Sequence, residues 1–279
     1  MPGDNARAID KARGLECDGV ILDLEDAVAP DGKAAARETA CAAVAAGGFG
    51  HRLVAIRINA LDTPQGVEDL RHVARAAPDA ILLPKVSRAR TLREAEMLMD
   101  SAGAPRATRL WCMIETPAGV LAAERIAGGT SRLDCLIMGT SDLGKELRVA
   151  RRPGRAAFRT SLGLCLLAAR AHGLAILDGV WPDLADAEGF AAECREGAEL
   201  GFDGKTLVHP RQIDAANAAF APDSDAVADA RAIVEAWESR PAGAGIAVLH
   251  GRMIEDLHAA EAQRLLALDA AIAARGRDA

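Results

Sequence analysis

Seven short apolar runs, most of them continuous and each set apart from the next by enough chain for one helix, constrain this sequence most. They occupy residues 20–24, 53–58, 80–83, 110–114, 133–138, 174–177 and, more briefly, 206–208. Runs without polar alternation are expected of parallel strands covered on both faces. Between them lie alanine-rich amphipathic stretches at residues 33–46, 67–77, 89–99, 156–171 and 186–200. This βαβα rhythm predicts a parallel sheet, and its length favours a (β/α)8 TIM barrel over a Rossmann sheet.

A barrel of this kind needs eight strands. The chain opens on the turn-like Met1-Pro2-Gly3-Asp4-Asn5 and passes at once into a helical stretch, residues 6–14. The first strand is therefore expected to belong before residue 1, through truncation or a late start, which leaves a sheet edge to be covered. After Pro222 the pattern changes to a polar-faced helix (223–240), a small-residue hinge (241–245), a strand-like piece (246–249) and a long helix (253–275). The expected organisation is a catalytic barrel over residues 1–222 and a C-terminal helical extension over 223–279, acting as a lid or an oligomer contact.

Half of the 279 residues are hydrophobic, yet no apolar run approaches the ~20 residues of a membrane helix. The formal charge of −7 is spread along the chain instead of gathered in blocks, which argues against nucleic-acid partners. Six widely spaced cysteines contain no CxxC pair, so they read as free thiols in a reducing compartment. No secretory signal is visible, and the cytoplasm is the expected location.

Two acids stand where such a fold does its chemistry. Glu115 and Asp142 each follow a buried run and precede a helical stretch, so both are expected at the C-terminal rim of successive strands. Hard oxygen donors without histidine or cysteine beside them suit Mg²⁺, or Mn²⁺, with water or substrate completing the coordination. Asp23-Leu24-Glu25-Asp26 ends the first run with three acids in four residues, and Glu25 and Asp26 are expected to orient waters around the metal.

Arg57 ends the next strand. It could merely pair with nearby Asp62, or its donor fork could grip a carboxylate or an enolate oxygen. Lys85 has a similar position and is expected, with Arg57 and Glu115, to contact the substrate. A Schiff-base role for Lys85 is conceivable, but the metal-type acids argue against it. His209 reads as structural, and the histidines form no metal-binding array. Arg7 and Lys11, four apart at the start of a helix, offer either a solvated face or a pair of cations for a phosphate-bearing tail.

Taken in order, Pro2-Gly3-Asp4-Asn5, Leu22-Asp23-Leu24-Glu25-Asp26-Ala27-Val28, Arg57-Ile58-Asn59, Pro84-Lys85, Met113-Ile114-Glu115-Thr116-Pro117, Gly139-Thr140-Ser141-Asp142-Leu143 and the segment from Gly201 to Ile213 carry a resemblance over nearly the whole chain. The sequence resembles the citrate lyase β-chain and malyl-CoA lyase family, the CoA-ester lyases of the HpcH/HpaI aldolase superfamily. That resemblance implies a Mg²⁺-dependent barrel enzyme that cleaves or forms a carbon–carbon bond in a 3-hydroxyacyl-CoA, giving an acyl-CoA and a 2-oxo acid.

The resemblance further implies that Glu115 and Asp142 ligate the metal and that Arg57 binds substrate; with a CoA ester as substrate, the phosphate-bearing tail expected at Arg7 and Lys11 is that of coenzyme A. Relatives carry an aspartate in a C-terminal Gly-Lys/Arg-Met-Ile/Val-Asp motif. Here the sequence reads Gly251-Arg252-Met253-Ile254-Glu255-Asp256, so Glu255 or Asp256 is the expected acid/base, supplied across a homotrimer or hexamer. Three alternatives stand beside the lyase: a malyl-CoA thioesterase, a metal-dependent aldolase of free hydroxy acids, and a citrate lyase β subunit dependent on acyl-carrier partners.

Overall fold

The computed structural model describes residues 1–150, 154–241 and 243–275. They divide into two compact units, Met1–Ala219 and Phe220–Ala279.

The first unit is an α/β fold built on seven strands: β1 (Gly19–Asp23), β2 (Leu53–Arg57), β3 (Ala80–Leu83), β4 (Arg109–Ile114), β5 (Leu133–Met138), β6 (Ala175–Asp178) and β7 (Gly204–Lys205). They pair in the order of the chain, every neighbour parallel. The helices around them are α1 (Ala6–Ala12), α2 (Lys33–Ala46), α3 (Pro64–Ala76), α4 (Ala89–Ala102), α5 (Pro117–Leu121), α6 (Ala123–Ala127), α7 (Thr140–Glu146), α8 (Arg159–Ala171), α9 (Ala187–Leu200) and α10 (Ile213–Phe220). Local chemistry sets their starts. Thr63, Thr116 and Asp186 each accept a hydrogen bond from a backbone N–H in the first turn of α3, α5 and α9.

Register decides what each face of the sheet does. Asp23, Arg57, Leu82, Trp111 and Cys135 form one lateral row, and Met113, Ile137 and Leu177 form the next. Successive helices α2, α3, α4, α6 and α8 pack side by side. Leu82, Cys135 and Ile137, with Ile21, Trp111, Met113 and Leu177 around them, form a core of their own. Leu82 and Ile137 are only 1% exposed, so the sheet must bend over to bury this row on itself.

Met1 donates to the carbonyl of Ile21, Asp23 N–H to that of Met1, and Gly3 N–H to that of Asp23, so the first residues lie parallel to β1 along its outer edge. A closed eight-strand barrel is not what the strand pairings show: among the described residues, β7 pairs with β6 alone.

Two expected elements are corrected. The last strand is Gly204–Lys205, not residues 206–208. Thr206 still bonds the carbonyl of Asp178, but the side chain of Gln212 takes the N–H of Val208 at 3.0 Å and draws the chain off the sheet. In the second unit, Met253 is not helical. Strands β8 (Ala247–Leu249) and β9 (Arg252–Ile254) form an antiparallel hairpin through His250 and Gly251, both at positive φ, and only then does the long helix begin. That helix, α12 (Asp256–Arg275), packs on α11 (Ser224–Glu238).

The six cysteines are free, and burial pushes the thiols of Cys112, Cys135, Cys165 and Cys194 up, away from thiolate chemistry. Among the described residues no helix is long and apolar enough to cross a membrane.

Candidate active site

The C-terminal ends of β1 to β4 and the start of α7 bring a dense group of charges together. Asp23 and Arg57 are in register on adjacent strands, so their side chains meet directly. Arg57 Nε donates to Asp23 Oδ1 at 2.7 Å and Nη2 to Oδ2 at 2.5 Å, the bidentate fork that a guanidinium favours. Its third nitrogen, Nη1, lies 3.0 Å from Glu25 Oε2 and 3.8 Å from Asp26, and contacts the sulfur of Met113. Arg57 thus belongs to Asp23 and Glu25, not to Asp62. The fork expected to be open for a ligand is already engaged, two of its nitrogens donating to Asp23 and the third ion-paired with Glu25.

Lys85 follows β3. Its ammonium contacts Glu25 and lies 3.7 Å from Asp26 and 3.9 Å from Asp142, while its main-chain N–H donates to Glu115 Oε1 at 2.7 Å. Burial alone would lower the Lys85 ammonium, but Glu25, Asp26 and Glu115 outweigh it and raise it. Glu115 itself is 3% exposed at the end of β4. Burial pushes its carboxyl up to about 7, with Glu25 and Asp142 adding to the rise against the pull of the Lys85 N–H and of Arg57. Glu25 is also raised, first by burial and then by Asp26.

Gly139, between β5 and α7, makes room for this carboxylate. A Cβ there would lie 2.3 Å from Glu115 Cβ and 2.5 Å from Oε2, so no other residue fits without moving the acid. Asp142 sits in the first turn of α7, half-buried, where the helix N-terminus favours negative charge.

Beneath the rim a second layer fixes the β1 end. Lys33 and the amide of Asn59 both donate to the carbonyl of Leu24, Asn59 donates on to Asp69, and Arg37 closes the network at 2.9 Å from Asp69. Lys33 carried no signal in the sequence, because its partner carbonyl lies nine residues back across a turn. Asp23, noted there only as one of three acids, proves to be the partner of Arg57, a pairing 34 residues apart that register alone reveals.

The other candidates fall elsewhere. Arg7 and Lys11 are exposed on α1. His209 caps a short turn by accepting from Arg211 N–H. Glu255 and Asp256 lie in the second unit, at the junction of β9 and α12, where Glu255 N–H donates to His258.

The donor set fits a divalent cation. Asp23, Glu25, Asp26, Glu115 and Asp142 bring five carboxylates against the two cations Arg57 and Lys85. Glu25 Oε2 is buried without a hydrogen-bond donor of its own. Among the described residues no three or more His, Cys, Asp or Glu side chains are grouped so as to hold a metal ion together. Two carboxylates that leave the remaining positions to water or substrate match what Mg²⁺ takes.

The family described as HpcH/HpaI aldolase/citrate lyase matches residues 1–210. A (3S)-malyl-CoA thioesterase from Cereibacter sphaeroides is 46% identical over 275 residues, covering 98% of this chain and 94% of its own length. The citrate lyase subunit beta of Leuconostoc mesenteroides subsp. cremoris is 33% identical, over 96% of this chain and 91% of its own. Among solved structures, the CitE protein of Mycobacterium tuberculosis, in complex with magnesium, acetoacetate and coenzyme A, matches with a TM-score of 0.78 at 29% identity, covering 97% of this chain and 96% of that one.

Proposed function

Because the chain belongs to the HpcH/HpaI aldolase/citrate lyase family, we propose that it acts on the CoA thioester of a hydroxydicarboxylic acid of the malyl type, with Mg²⁺ (or Mn²⁺) held by Glu115 and Asp142, and that it hydrolyses the thioester. The observation that carries the cation site is the surplus of carboxylate around buried Glu115. Hydrolysis is supported by the 46% identity to a malyl-CoA thioesterase along 98% of the chain. The curled sheet is then the larger part of a (β/α)8 barrel whose remaining position Met1 and Pro2 border.

When bound, the cation polarises a substrate oxygen. The residues of the chain do the rest. Arg57, held rigid by Asp23, turns Nη1 from its ion pair with Glu25 to the oxyanion that develops at the thioester carbonyl as water adds. Lys85 meets the substrate carboxylate, and Glu25 and Asp26 order the water between them. Arg7 and Lys11 receive the phosphates of coenzyme A. The products are the free hydroxy acid and CoA thiol.

Carbon–carbon cleavage is the second reading, favoured by the citrate lyase relative and by the carboxylates Glu255 and Asp256, either of which would protonate the enolate carbon of the departing acyl-CoA. A trimer or hexamer would bring that acid from a neighbouring copy. Incubation of the full chain with malyl-CoA, with and without Mg²⁺, separates the readings. Malate and CoA support hydrolysis, acetyl-CoA and glyoxylate support the lyase, and turnover that persists in EDTA removes the cation from both. Cleavage only of free hydroxy acids indicates the aldolase, and activity only with an acyl-carrier partner the dependent subunit.

A further inference from the structure

Four described residues other than glycine have positive φ: Ala77, Lys85, Arg148 and His250. Ala77 and Arg148 follow the ends of α3 and α7, and His250 turns a hairpin, where a left-handed residue closes the element. Lys85, at φ 53°, lies two residues beyond the end of β3 at the site, where it closes neither a helix nor a hairpin. Glycine would adopt that conformation more cheaply, so a lysine held there points to a task for its side chain.

We propose that Lys85 is a positioning residue that sets how tightly the site grips its divalent cation: its main-chain N–H orients Glu115, while its ammonium competes with the cation for the charge of Glu25, Asp26 and Asp142. The inference rests on the reading that Glu115 and Asp142 hold the ion. The left-handed turn performs both tasks at once. It directs the N–H to Glu115 Oε1 at 2.7 Å and carries the side chain back over the acids, with Nζ on Glu25 and 3.9 Å from Asp142. Without the ammonium, Arg57 alone would face the five carboxylates, and Arg57 is already committed to Asp23. Lys85 therefore lets the metal-free site fold, and it lowers the affinity of the ion that later joins it.

Titration calorimetry of the metal-stripped full chain with MgCl2 tests this, using Lys85→Met, Lys85→Gly and Lys85→Arg. Lys85→Gly keeps the left-handed turn and its N–H, so a loss of charge is separated from a loss of backbone geometry. The first two variants are expected to bind Mg²⁺ roughly tenfold more tightly than the parent, and Lys85→Arg within about twofold of it. In EDTA the Met variant is expected to melt at a lower temperature than the parent, and saturating Mg²⁺ to shrink that deficit. Unchanged or weaker Mg²⁺ binding in both uncharged variants overturns the inference, as does a melting deficit that Mg²⁺ leaves intact. A parent chain that binds no divalent ion removes the cation reading itself, and this inference falls with it.

Discussion

Asp23 and Arg57 show how a single pairing serves both the fold and the site. Both side chains are largely buried, and each is the other's bidentate partner. Arg57→Met is expected to destabilise the chain by about 3–5 kcal/mol in urea unfolding, and adding Asp23→Asn to recover much of that loss. Burial alone would push the Asp23 carboxyl up, but the hydrogen bonds and charge of Arg57, with the N–H groups of Glu25 and Ala27, hold it below the usual carboxylate range. The unfolded chain therefore binds this proton more readily than the native one. The stabilisation is present in full above about pH 4 and is lost as pH falls through the native value. Acid unfolding curves should lose that component in Asp23→Asn. Gly139→Ala places a methyl group where Glu115 lies, and weaker Mg²⁺ binding in a folded protein is the expected result.

Among the elements, β1 to β6 were legible in the sequence nearly to the residue, because burial on both faces leaves few polar positions to blur them, such as Asp23, Arg57 and Asp134. β7 was not, since Gly204 and Lys205 carry no apolar signal and enter the sheet through pairing with Leu177 and Asp178. The β8–β9 hairpin was hidden because Met253 and Ile254 fit a helical period, although His250-Gly251 held a turn signal. At the site, the acids and Arg57 were visible as strand-end residues, whereas the occupation of Arg57 by Asp23 depends on register and was not. Lys205 anchors the weakest strand. Its side chain is fully buried between Asp178 and Glu193, so Lys205→Met is expected to destabilise by about 3 kcal/mol or more, read from the urea midpoint, by leaving those carboxylates short of a partner.

At the scale of the whole molecule, one sheet delivers residues from four strand ends and one helix start to a common rim. Neither Glu115 nor Asp142 contributes much to the core that Leu82, Cys135 and Ile137 build, so removing either charge should spare the fold. The most direct measurement is calorimetric titration of MgCl2 into metal-stripped wild type, Glu115→Gln and Asp142→Asn, each first shown to unfold cooperatively. One ion per wild-type chain and affinity reduced at least about tenfold in each variant are the expected results. Equal affinity in all three proteins would contradict a cation held by Glu115 and Asp142.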